Sequence, residues 1–97
     1  MIFIIKNLKY DTDKMELISE KIKYTYEWKM TFTGTRMISY GKNVRLYKTK
    51  KGRWFLTYDS DYDHYGKVLD ETEVKSLLMQ YDLIKYEELF GELEEGW

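Results

Sequence analysis

Ninety-seven residues, 43% of them hydrophobic, 34% charged and none a cysteine, suffice for one core in a single domain. They exclude a disulfide framework and a thiolate metal site, and a core this small leaves little room for a deep substrate cavity. The net charge of −1 hides a polarity: residues 1–57 hold 13 Lys/Arg against 5 Asp/Glu, whereas residues 58–97 hold 3 against 12, so a basic half precedes an acidic one.

In chain order, the apolar start Met1-Ile-Phe-Ile-Ile5 is too short for a signal h-region, and no stretch approaches the ~20 apolar residues of a membrane span. With no staples for an oxidising compartment, the expected setting is the cytoplasm. Residues 2–10 and 15–18 read as short strands joined by the polar turn Asp11-Thr-Asp13. From position 22 to 32 the even residues are Ile22, Tyr24, Tyr26, Trp28, Met30 and Phe32. Lys23, Thr25, Glu27, Lys29 and Thr31 fill the odd ones. Period-two alternation of this length predicts a half-buried antiparallel strand. Gly34 supplies a turn and residues 36–40 a return strand. Gly41-Lys-Asn43 is a second turn signal, since Gly and Asn accept positive φ cheaply. Residues 44–48 and 53–58 then form a hairpin around Thr49-Lys-Lys-Gly52.

The period changes at Asp70, which with Glu73 spells a capping box. Val74, Leu77, Leu78 and Tyr81 follow on one helical face. Asp82 can cap a second short helix with Leu83, Tyr86, Leu89 and Phe90 as its apolar set, ended by Gly91. The expected architecture is a single α+β domain over residues 1–97. Residues 1–58 are mainly strands in an antiparallel meander, residues 70–91 are one or two C-terminal helices packed on one face, and residues 92–97 are an acidic tail.

Catalytic signatures are weak. His64 is the sole histidine and has no cysteine or second histidine to complete a zinc site. None of Ser19, Ser39, Ser60 and Ser76 sits in a G-x-S-x-G elbow, and no glycine-rich phosphate loop occurs. Asp59-Ser-Asp61-Tyr-Asp63 begins like a calcium loop, but His64 stands where that loop needs Gly and Asp70 where it needs Glu. An acidic solvated turn is the better reading. No enzyme activity, cofactor or metal is expected.

Two charged surfaces remain. Lys48, Lys50, Lys51 and Arg53 beside Trp54 mix cations with an aromatic at a hairpin tip, as a nucleic-acid binder would. Alternation places Trp54 in the core as readily as on a binding platform. Asp59, Asp61, Asp63, Glu87, Glu88, Glu92, Glu94 and Glu95 could instead form a carboxylate array that docks on a basic protein partner.

Three stretches, Tyr10-Asp-Thr-Asp-Lys-Met-Glu-Leu-Ile18, Leu46-Tyr-Lys-Thr-Lys-Lys-Gly-Arg-Trp-Phe-Leu56 and Tyr86-Glu-Glu-Leu-Phe-Gly-Glu92, occur in that order. In them the chain resembles a group of short proteins from phages and mobile elements of Gram-positive bacteria. The resemblance does not extend to residues 24–40. Several members of that group look like anti-CRISPR proteins, which block a CRISPR effector nuclease by binding it. The implied role is a non-enzymatic inhibitor of a host defence complex in the bacterial cytoplasm, acting here through its acidic face. The alternative is a small nucleic-acid-binding accessory protein that uses its basic hairpins.

Overall fold

Lys6 and Asn7 carry positive φ, 49° and 65°, the pair of left-handed residues that a two-residue hairpin turn demands. Residues 2–10 are therefore not one strand but a hairpin, β1 (Ile2–Ile5) antiparallel to β2 (Leu8–Asp11). In this computed structural model, which describes residues 1–29, 34 and 36–96, the expected turn at Asp11 is a 3₁₀ turn over Thr12–Lys14. It is capped where the Asp11 carboxylate accepts from the Asp13 N–H. It leads into β3 (Glu16–Ser19).

The α+β architecture is as the periodicity implies: antiparallel strands followed by two helices. The main sheet joins β3, β6 (Lys42–Lys48), β7 (Trp54–Asp59) and β8 (His64–Leu69) in the order β3-β6-β7-β8. Between β3 and β6 the chain leaves this sheet to build a separate two-stranded ribbon, β4 (Thr25–Lys29) with β5 (Arg36–Tyr40). The meander is thus interrupted. Of the long strand expected over residues 22–32, the described part begins only at Thr25. Residues 30–32 and the side chains of Trp28 and Lys29 lie outside the description. The burial alternation does hold from Ile22 to Glu27, with Ile22 buried, Tyr24 and Tyr26 half-buried, and Lys23, Thr25 and Glu27 exposed. The Cα radius of gyration of 15.2 Å exceeds the roughly 12.5 Å of a compact domain this long, in keeping with a ribbon that, among the described residues, pairs with no other strand.

Strand β8 has no counterpart in the sequence reading, which gives Asp59–Asp63 as an acidic turn and assigns no element to residues 64–69. Only the Ser60–Asp63 segment turns, closed by Ser60 N–H donating to Asp63 O at 2.9 Å. Strand β7 is buried on both faces. Trp54 and Leu56 join Leu46, Val44, Ile18, Ile22 and Leu69 under the helices α1 (Glu71–Tyr81) and α2 (Leu83–Phe90), whose Val74, Leu78 and Tyr86 close that core. Phe55 points the other way, against Phe3 at 5.5 Å and stacked on Tyr10 at 4.9 Å. The N-terminal hairpin therefore covers the face opposite the helices.

The helix signals act as read. The Asp70 carboxylate accepts from Glu73 N–H at 2.8 Å and Glu73 returns the bond, completing the capping box. Asp82 ends α1 and caps α2 by accepting from Lys85 N–H. Gly91, at φ 95°, closes α2. Among the described residues no helix is long and apolar enough to cross a membrane.

Candidate interaction surfaces

The eight carboxylates of the expected acidic face form two groups. Asp59, Asp61 and Asp63 lie at one end of β7. Glu87 and Glu88 sit on α2 at its other end, where Phe90 packs against Trp54 at 6.0 Å. Five residue steps of strand separate Trp54 from Asp59, about 17 Å. The first group is also engaged. Asp59 meets His64 Nδ1 at 2.6 Å and accepts from Asn43 Nδ2 at 3.0 Å. Asp61 pairs with Lys42, and Asp63 accepts from the His64 N–H at 2.8 Å. The His64 bond first, then the Asn43 bond, hold the Asp59 carboxyl below its usual range. In the second group Glu88 pairs with Lys85 at 3.0 Å, Glu87 is half-buried, and Glu92, Glu94 and Glu95 are exposed in the segment after α2.

The basic hairpin divides as well. Trp54 is a core residue: only 8% exposed, it lies between Phe90 and the Lys48 ammonium, which sits 4.9 Å from its ring centre. It offers no platform for a base. Lys50, Lys51 and Arg53 turn toward the N-terminal hairpin, where Lys9 and Lys14 join them around a groove. The turn that carries them is fixed by Thr49, which bonds Gly52 N–H and Arg53 N–H, and by Gly52 at φ 84°. Lys9 and Lys14 were not singled out by sequence spacing, because their approach depends on the hairpin folding over Phe55.

A third surface joins the ribbon to the sheet. Tyr58 and Tyr65 are partners in the β7–β8 register, with ring centres 5.3 Å apart. Tyr24 and Tyr26 reach down onto Tyr58 at 4.8 and 5.3 Å. Lys67 donates to the Tyr24 hydroxyl at 3.4 Å. Burial, followed by its tyrosine neighbours, pushes the Tyr58 hydroxyl above its ordinary pKa. Gly41 lets the chain leave β5 here, since a Cβ on it would lie 3.0 Å from Tyr58 Cβ. With Tyr26 turned inward, the opposite side of the ribbon carries Ile38 and Tyr40, 66% and 74% exposed, across from Glu27 and Thr25 in register. The spacing of Tyr24 and Tyr26 was visible in the sequence. Their union with Tyr58 and Tyr65 needed the sheet order.

Among the described residues no cluster of His, Asp or Glu is placed to hold a metal ion. No protein-family model, curated protein or solved structure matches the chain.

Proposed function

We propose that this protein is a non-enzymatic inhibitor of the kind carried by phages and mobile elements. It binds a host defence complex in the bacterial cytoplasm, with a CRISPR effector nuclease as the expected target. The setting rests on the resemblance of the Leu46–Leu56 hairpin and the Tyr86–Glu92 ending. The observation that carries a binding role is the ribbon, which holds Ile38 and Tyr40 out to solvent on a base of four interlocked tyrosines. Exposed apolar groups that are not scattered singly mark contact surfaces. Tyrosine is among the residues that dominate contact energies, because it supplies a large apolar area with a polar tip. The charged groups on either side would then steer the encounter more than hold it.

The test is a cleavage assay on a panel of CRISPR effector nucleases from Gram-positive hosts, with this protein titrated in. Loss of cleavage at equimolar protein, restored by Tyr40→Asp with Ile38→Asp, is expected for at least one effector. Undiminished cleavage across the panel would remove the CRISPR target. A pull-down that yields nucleic acid alone, abolished by nuclease, would remove the inhibitor reading itself.

A further inference from the structure

Five cations from three segments meet at one groove. Lys9 comes from β2, Lys14 from the 3₁₀ turn, and Lys50, Lys51 and Arg53 from the β6–β7 turn, around a cavity of about 320 Å³. All five are exposed, and none is ion-paired among the described residues. The carboxylate in the wall, Asp11, is engaged by the Asp13 N–H at 3.1 Å, and Asp13 itself pairs with the Met1 amine at 3.5 Å. Arg53 is anchored: its guanidinium donates to the Tyr10 hydroxyl at 3.3 Å, and the Tyr10 ring is stacked on Phe55. An adjoining groove shares Arg53 and adds Lys6, so the cationic band runs on past a single pocket.

Five cations against the one carboxylate of Asp11 leave the groove net positive, and a bound polyanion relieves their mutual repulsion while releasing its own counterions. The length of the band fits a linear polyanion better than one phosphate. Among the described residues Tyr10 is the sole aromatic lining either groove, and it is 7% exposed with its ring on Phe55. A base therefore finds no ring to stack on. We propose that this groove binds the phosphodiester backbone of nucleic acid without reading bases. The site is independent of the ribbon surface and of the inhibitor reading.

Fluorescence anisotropy with a labelled DNA duplex of about 20 base pairs tests it, because a backbone-only contact makes log K fall linearly with log salt. Duplexes of different sequence should bind alike. Lys50→Glu with Lys51→Glu, and separately Lys9→Glu with Lys14→Glu, should each weaken binding by about tenfold or more and flatten the salt slope. Reversing Lys42 and Lys85, which are paired elsewhere with Asp61 and Glu88, should leave affinity nearly unchanged. So should Ile38→Asp with Tyr40→Asp, which separates this site from the ribbon. Thermal melts of each variant show that it folds. No binding at about 50 mM salt, equal losses from the Lys42 and Lys85 reversals, or equal competition by polyglutamate would each overturn the proposal.

Discussion

Ser19 and Asp82 stand 63 residues apart in sequence and share a buried hydrogen bond, Ser19 Oγ donating to Asp82 Oδ2 at 2.7 Å. Ser19 ends β3, at the point where the register with β6 shifts, and its oxygen also accepts from the Lys21 N–H at 3.2 Å. The other Asp82 oxygen caps α2. One carboxylate thus ties the sheet edge to the junction between the helices. Ser19→Ala should cost about 1–3 kcal/mol, because it leaves a buried carboxylate short of a donor. Asp82→Ala should cost more, since the helix cap is lost as well. Urea unfolding of both variants measures this; a Ser19→Ala midpoint equal to that of the wild type would show that the tie is weak.

Gly66 is fixed by the ring it passes. A Cβ there would lie 2.4 Å from Phe55 Cζ and 3.0 Å from Phe3 Cδ1. Its backbone needs no left-handed conformation, so the requirement is space alone. Gly66→Ala should destabilise by about 1–3 kcal/mol through overpacking. Adding Phe55→Leu should recover part of that loss, because the two sites share the same space. Purely additive costs in the double mutant would refute the steric account.

What could be read in advance follows from the range of each signal. The Asp70–Glu73 box, the Asp82 cap and the glycine after α2 act within one helical turn, so their sequence pattern carries the whole geometry. Strand β8 escaped notice because its buried neighbours are distant: Gly66 looks like a breaker until Phe55 lies across it. Lys6-Asn7 lacks the glycine that usually marks a hairpin turn, so two strands read as one. The acidic face seemed continuous because the sequence lists its carboxylates in order, while β7 holds its two groups apart. Trp54 alternated with Phe55 as a two-faced strand requires. The sequence could not say that the N-terminal hairpin would bury the second face.

The acidic turn yields a pH prediction. Asp59 has its carboxyl lowered from 3.8, chiefly by the His64 hydrogen bond and then by Asn43. A depressed folded value means that the stabilisation is complete above the unfolded value. It is lost as pH falls through the folded one. His64→Ala should raise the Asp59 titration midpoint seen in its carboxyl ¹³C shift. The variant should be less stable than wild type at neutral pH, and the Asp59 part of that deficit should fade in acid. An unchanged Asp59 midpoint would show that the bond contributes nothing.

Calcium should find no welcome in the same turn. Asp59, Asp61 and Asp63 already serve His64 and Asn43, Lys42, and the His64 N–H. A ligand that binds only the folded state raises the melting temperature by mass action. Millimolar calcium should therefore leave the melting temperature where a chelator leaves it. A rise of several degrees, abolished by Asp61→Ala, would show that the cation displaces Lys42 and would restore the loop as a metal site.

The last prediction sets the ribbon against the acidic helix. Glu88 and Lys85 form an exposed pair at 3.0 Å, and such pairs are worth about 0.2–1 kcal/mol. Glu87→Lys with Glu88→Lys should therefore leave folding nearly intact. If the ribbon makes the contact, this reversal changes the association rate and its salt dependence but spares the dissociation rate of the target complex. Ile38→Asp with Tyr40→Asp should also fold, since both side chains point to solvent, yet it should speed dissociation by about tenfold or more by removing the apolar anchors. Surface plasmon resonance against an inhibited effector separates the two rates. Loss of affinity through the glutamates alone, with the ribbon variant binding like wild type, would move the contact to α2 and the chain after it, where Glu92, Glu94 and Glu95 extend the same charge.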